Sequence, residues 1–204
     1  MILPGLCSKL SKNLLWHFSE DEKKIYLTFD DGPTEELTDW ILQTLEDYNA
    51  RATFFCLGRN AERFKDQYQK ILKHGHAVGN HSFSHLKGWF TKNQKYYRDI
   101  EKTRKLINSN LFRPPHGRIK YSQIKYLKTA YKIVLWDVLS KDYNRNYKPK
   151  RIIQRVIRLS RSGSVIVFHD SKQAEKNLKQ VLPRILEYYH NKGYIFSSIP
   201  YKLT

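Results

Sequence analysis

Short apolar runs alternate with longer charged segments along most of the chain. Residues 24–29 are almost unbroken in aliphatic, aromatic and β-branched residues, and residues 35–48 then space their apolar positions at helical intervals. The same alternation recurs: residues 51–57 then 61–73, the short run at Ala77 and Val78 then 94–107, 131–136 then a helix around Arg151, and 164–168 then 178–190. Strands that are apolar on both faces belong in a parallel sheet covered by helices, so the pattern predicts an α/β fold, either a barrel or an open doubly wound sheet. In such sheets chemistry gathers where strands end at their C-terminal edge. The polar residues that follow the apolar runs are Asp30 and Asp31, His81 and His85, Arg113, Asp137 and Asp142, and His169 and Asp170. All are predicted to converge on one rim.

A chain of 204 residues is long enough for one sizeable core, and no repeat, low-complexity tract or linker divides it. An aromatic content of 14% argues against a disordered chain. The two cysteines are far apart, and Cys56 lies inside an apolar run, so a disulfide scaffold is excluded. Pro4, Gly5, Lys9 and Lys12 interrupt the N-terminus, where a signal peptide needs an unbroken apolar stretch. With no transmembrane span visible either, the expected location is the cytoplasm or the periphery of a membrane.

The formal charge of +18 exceeds what solubility requires and brings an anionic polymer, a membrane surface or nucleic acid into view as partners. The densest basic stretch contains Lys148, Lys150, Arg151, Arg155 and Arg158. Arg151, Arg155 and Arg158 share a helical face opposite Ile152, Ile153, Val156 and Ile157, which reads as a solvated face before it reads as a docking site. No nucleic-acid recognition motif accompanies the charge, which ranks a nucleic-acid binder below an enzyme.

Four segments carry chemistry. Thr28-Phe29-Asp30-Asp31-Gly32-Pro33 sets two carboxylates at a strand end, and using both needs a break in the strand, which Gly32 and Pro33 can supply. Taken alone, Asp-Gly-Pro is a turn. Asn80-His81-Ser82-Phe83-Ser84-His85 spaces two imidazoles so that a helical turn would put them on one face. With one Asp of the first segment they make a two-His, one-carboxylate set that leaves a position open for water, as a catalytic zinc site does. Arg113-Pro114-Pro115-His116-Gly117 is a stiffened loop able to hold an N–H toward a ligand, and Val165-Ile166-Val167-Phe168-His169-Asp170 ends a strand in an imidazole.

In order, these segments resemble the motifs of the polysaccharide deacetylases, also called NodB-homology or carbohydrate esterase family 4 domains, over residues 24–200. The fourth motif, an Asp followed by an aromatic, is matched by Asp142-Tyr143, with Asp137 a rival for the Asp; Tyr143 stands where the family commonly has Trp, and His116 where an aromatic is frequent. The resemblance implies a distorted, incomplete (β/α) barrel of about seven parallel strands, with residues 24–204 as the catalytic domain and 1–23 as an extension packed on it. It further implies Asp31, His81 and His85 as ligands of zinc, or of another divalent transition metal such as cobalt. Asp30 becomes the general base for zinc-activated water, Arg113 its orienting partner, His169 the general acid, and Asp142 the group that keeps His169 charged. The His116 backbone N–H would stabilise the oxyanion, and Tyr143, like Trp89 and Phe90, could stack on a sugar.

The implied substrate is an N-acetylated glycan, N-acetylglucosamine in peptidoglycan or in a chitin-like oligomer. A lipid-linked sugar, an O-acetylated polysaccharide and a metal-free carbohydrate-binding module are the alternatives, although no ligand or acid/base residue is missing from the motifs.

Overall fold

A computed structural model describes residues 14–201. In chain order its elements are β1 (Leu14–Leu15), β2 (Lys24–Asp30), α1 (Glu35–Glu46), β3 (Thr53–Cys56), α2 (Gly58–Arg63), α3 (Lys65–Lys73), β4 (Ala77–Asn80), α4 (Asn93–Arg104), β5 (Leu111–Phe112), α5 (Tyr121–Leu127), β6 (Lys132–Val134), β7 (Val138–Leu139), α6 (Pro149–Leu159), β8 (Val165–His169), α7 (Glu175–His190) and β9 (Ile195–Phe196). All strands pair in parallel. They run side by side in the order β1-β6-β5-β4-β3-β2-β8-β7, with β9 beside the start of β2. Among the described residues the path ends at β1 and β7 without closing, which is the incomplete barrel expected, with β1, β7 and β9 as strands the hydrophobic pattern does not mark.

The central strands are largely apolar because they are buried on both faces. Along β2, Ile25, Leu27 and Phe29 enter the large cluster shared with Leu37, Ile41 and Leu45 of α1 and Leu178, Leu182 and Ile185 of α7. Each such fully buried side chain contributes about 1.5–3 kcal/mol. Tyr26 points to the opposite face, into the barrel interior with Phe55, Leu111, Val134 and Val165. Side chains alternate along a strand, so Thr28 and Asp30 continue the Tyr26 face. By the same count Arg113, two residues beyond Leu111, and His169, four beyond Val165, belong to the interior face.

Three expectations are corrected. Residues 61–73 form two helices, because Phe64 leaves the helical region at φ −113°, ψ 59°. The helix expected over 94–107 ends at Arg104, and α5 was not marked by the pattern at all. Arg155 is not a free surface charge, since its Nε donates to Leu139 O at 2.8 Å and ties α6 to β7.

The segment after β1 crosses the N-terminal end of the sheet. His17 bridges to Ser164, Phe18 N donates to Gly163 O at 2.9 Å, and the Phe18 ring stacks on Tyr26 at 3.9 Å. Residues 1–13 of the proposed extension, Cys7 among them, lie outside the described residues. Cys56 is a free, buried thiol. No helix among the described residues is long and apolar enough to cross a membrane.

Candidate active site

Asp30 closes β2, and the break that brings its neighbour to the same pocket falls on Asp31 itself, whose φ is +77°. This differs from the expectation that Gly32 would supply the unusual dihedral. Gly32 is required for space: a Cβ there would lie 2.2 Å from Asp170 Oδ2. Asn60 Nδ2 donates to Asp31 O at 2.7 Å and fixes the turn.

His81 and His85 are not on a helical turn. They sit in an irregular loop after β4 that turns at Ser82 (φ +64°) and at His85 (φ +60°). Side chains satisfy its backbone: Asn80 Oδ1 accepts from Ser82 N at 2.8 Å, Ser82 Oγ accepts from His85 N at 3.1 Å, and Asp99 Oδ2 accepts from Phe83 N and Ser84 N at 2.9 and 3.0 Å. Asn80 and Asp99 therefore shape the site, and neither stands out in the sequence as a site residue.

His81 Nδ1 lies 2.8 Å from Arg113 O. A carbonyl can only accept, so Nδ1 carries the hydrogen and the Nε2 lone pair faces the pocket, as a metal-ligating imidazole requires. His81 Nε2 is 3.6 Å and His85 Nε2 3.2 Å from Asp31 Oδ1, and the three ligand atoms lie within 4.8 Å of one another. Asp31 Oδ1 is buried and satisfied by no hydrogen bond among the described residues. An orphaned carboxylate oxygen facing two imidazoles fits a divalent cation. Burial, which would raise the Asp31 pKa, is outweighed by His85, His81 and His169, which hold it well below the usual carboxylate range. Burial pushes His81 down to about 4, leaving it neutral, the form that binds a metal.

Two charged pairs flank the cradle. Arg113 is fully buried and donates to Asp30 Oδ1 and Thr28 Oγ1 from Nη1, each at 2.7 Å, to Leu135 O from Nη2 at 3.0 Å and to Val134 O from Nε at 3.3 Å. Its guanidinium lies 4.1 Å over the Phe55 ring. In the second pair His169 Nδ1 is 2.7 Å from Asp142 Oδ1, and His169 N donates to Asp142 Oδ2 at 2.8 Å. Burial would lower the His169 pKa, but Asp142, helped by Asp30 and Asp31, pushes it up to about 9. Asp137 lies elsewhere: it accepts from Ser164 Oγ and Val165 N, both at 2.8 Å, at the start of β8, whereas His169 ends that strand.

The remaining sequence-predicted residues are also at this rim. The Tyr143 ring meets His169 edge-on at 4.8 Å, and the His116 ring packs 4.5 Å from His85. Both His116 (φ +59°) and Gly117 (φ +64°) are left-handed, and a Cβ at Gly117 would come 2.8 Å from Trp136 Cη2, so position 117 has room for glycine alone. Asp170, buried and pushed up to about 6 by that burial against the lowering effect of its threonine partners, accepts from Thr34 Oγ1 at 2.6 Å and Thr38 Oγ1 at 2.5 Å.

An open carboxylate–imidazole cradle beside an Arg-held carboxylate and an Asp-held imidazole, at the C-terminal rim of an incomplete barrel, is the equipment of a metal-dependent hydrolase. The comparisons narrow that class. The family model described as polysaccharide deacetylase matches residues 18–132, and the chain belongs to this family. A peptidoglycan-N-acetylglucosamine deacetylase of Bacillus cereus is 32% identical over 192 residues, covering 90% of this chain and 90% of the relative. The crystal structure of the Bc1960 peptidoglycan N-acetylglucosamine deacetylase, in complex with 4-naphthalen-1-yl-N-oxidanyl-benzamide, has a TM-score of 0.89 at 30% identity, covering 97% of this chain and 95% of that one. A carbohydrate esterase family 4 pseudoenzyme from Bacillus anthracis shares the fold, with a TM-score of 0.82 at 21% identity over 94% of this chain and 69% of that one. Fold alone therefore does not carry activity, and the residues of the site must.

Proposed function

We propose that this hydrolase removes N-acetyl groups from N-acetylglucosamine-containing glycan, with peptidoglycan as its polymer. The observation that carries the reading is that Asp30 and His169 stand on paired strand ends at the rim that carries the Asp31, His81 and His85 cradle, each locked by its own charged partner. Zinc, or another divalent transition metal such as cobalt, held by those three residues would supply the Lewis acidity that polarises an acetamide carbonyl and acidifies water.

The chain's own residues do the rest. Arg113 occupies Asp30 Oδ1, so Oδ2 is the oxygen left to take the proton of the attacking water. The water oxygen bonds to the acyl carbon, and the His116 backbone N–H serves the resulting oxyanion. A sugar amine is too basic to leave as an anion. Because His169 Nδ1 is engaged by Asp142, the proton it gives the departing nitrogen comes from Nε2 as the C–N bond breaks. Water and amide become acetate and a free amine. Tyr143, packed on His169, borders the place where the sugar would sit.

The test is the metal content of the purified protein together with acetate release from peptidoglycan and from N-acetylglucosamine oligomers. Bound zinc with stoichiometric acetate supports the assignment; bound zinc without acetate on either substrate overturns it in favour of a carbohydrate-binding module.

A further inference from the structure

Beside the cradle the chain builds a rigid shelf of exposed aromatic and cationic side chains that the chemistry above does not use. It consists of residues 87–93, which begin two residues after His85, and residues 118–123, which begin two residues after His116. Hydrogen bonds clamp the two segments together. Trp89 Nε1 donates to Ile119 O at 2.9 Å, Gln123 Nε2 to Gly88 O at 3.0 Å, Lys120 Nζ to Thr91 O at 2.9 Å and Asn93 Nδ2 to Ser122 Oγ at 3.1 Å. On this frame Phe90 is 76% and Trp89 38% exposed, large apolar surfaces that the core does not claim. The Arg118 guanidinium lies 5.8 Å from the Trp89 ring centroid. Residues 86–98 and 114–124 contain Lys87, Lys92, Lys95, Arg98, Arg118 and Lys120 and not one Asp or Glu.

We propose that this shelf binds a glycan strand bearing carboxylates next to the N-acetylated sugar that enters the cradle, an inference that rests on the glycan deacetylase reading. Flat aromatic side chains pack on the apolar face of a pyranose ring. A guanidinium beside them offers paired donors to a carboxylate. A neutral chitin-like chain would use the aromatic half of this surface and leave the cationic half unpaired; an acidic strand uses both. Since the clamp fixes the shelf before ligand arrives, little ordering cost opposes binding.

The experiment is calorimetric titration of the zinc-loaded protein with soluble peptidoglycan glycan strands carrying free carboxylates and, separately, with the neutral tetramer of N-acetylglucosamine. Arg118→Gln should weaken the acidic strands about five-fold and the neutral tetramer less than about two-fold. Phe90→Ala should weaken both, by about five- to ten-fold. The selectivity for acidic strands should shrink as salt rises. Unchanged melting midpoints would confirm that these exposed substitutions leave the fold intact. Equal losses on both ligands in Arg118→Gln, no loss in either variant, or no binding of acidic strands by the wild type overturns the shelf. Acidic strands that bind with the expected dependence but release no acetate would leave the shelf standing and overturn the deacetylase reading instead.

Discussion

Arg113 is the part of the site whose removal has the most calculable consequence. It is the largest fully buried side chain, and four hydrogen bonds hold it: to Asp30, Thr28, Val134 O and Leu135 O. Burial pulls its pKa down, and Asp30 opposes that pull. Arg113→Met keeps most of the volume but leaves the Asp30 carboxylate, itself 4% exposed, as an uncompensated buried charge, with two carbonyls lacking donors. Breaking a buried pair from one side costs about 3–5 kcal/mol, out of a total of about 5–15 kcal/mol. For a chain of this size about 2–4 °C of Tm is lost per kcal/mol, so the midpoint should fall by about 6–20 °C. The double variant Asp30→Asn/Arg113→Met removes the stranded charge and should be more stable than Arg113→Met alone, with the cycle showing about 1–3 kcal/mol of coupling. Urea and thermal unfolding of chelator-treated protein measure both without any contribution from metal affinity. A cost below about 1 kcal/mol for Arg113→Met, or strict additivity in the cycle, would refute the view that this pair is the electrostatic keystone of the barrel interior.

Two further predictions concern the roles of the carboxylates. Asp31→Asn should lower zinc content, because a neutral amide oxygen is a poorer ligand, whereas Asp30→Asn should keep the metal and lose turnover by a factor of about 10² to 10⁴; loss of metal in Asp30→Asn with retention in Asp31→Asn would exchange the two roles. The His169 pKa is raised from 6.5 to about 9, so its contribution to stability is complete below pH 6.5 and is lost as pH rises through about 9. Asp142→Asn removes that rise, so the high-pH limb of activity should move down by at least about one unit and the fall in stability between pH 6.5 and 9 should flatten. The same changes in Asp137→Asn, but not in Asp142→Asn, would contradict the assignment.

The strand–helix alternation was legible because parallel strands are apolar on both faces and helices on only one. What the sequence hid is local backbone. The His81 and His85 spacing reads as one helical turn, yet Ser82 and His85 are left-handed and Asn80 and Asp99 hold the loop. Non-glycine residues with positive φ leave no mark in a hydrophobic pattern, and a distant carboxylate that caps backbone N–H groups looks like any charged helix residue. The break after β2 was expected at Gly32 for the same reason: glycine signals freedom of dihedral, while here it answers the approach of Asp170 and Asp31 takes the strained conformation. Asp137 and Asp142 are not separated by the pattern because both lie within a few residues of the apolar run 131–136. Only strand direction separates them, since one meets the start of β8 and the other its end.

Register is the deepest of these hidden variables. β2 and β8 pair so that Asp30 stands opposite His169, with Thr28 opposite Val167 and Tyr26 opposite Val165. Both strands therefore turn these positions toward the barrel interior, and the carboxylate and imidazole at their ends reach the same rim. A slip of one residue would turn His169 toward the helices and bring Phe168 into the pocket, with every apolar position of β8 inverted as well. The cores on the two faces therefore hold His169 and Asp30 in place: Phe168 fixes the outer face with Phe29, 6.0 Å away, while Val165 fixes the inner face with Tyr26. Asp170 completes the lock, donating its N–H to Asp30 O at 2.8 Å while its carboxylate accepts from Thr34 and Thr38 beyond the Asp31 turn. The turn that aims Asp31 is thus built on the same strand end that carries His169. The relative position of Asp31, Asp30 and His169 follows from one strand pairing, enforced by burial on both of its faces.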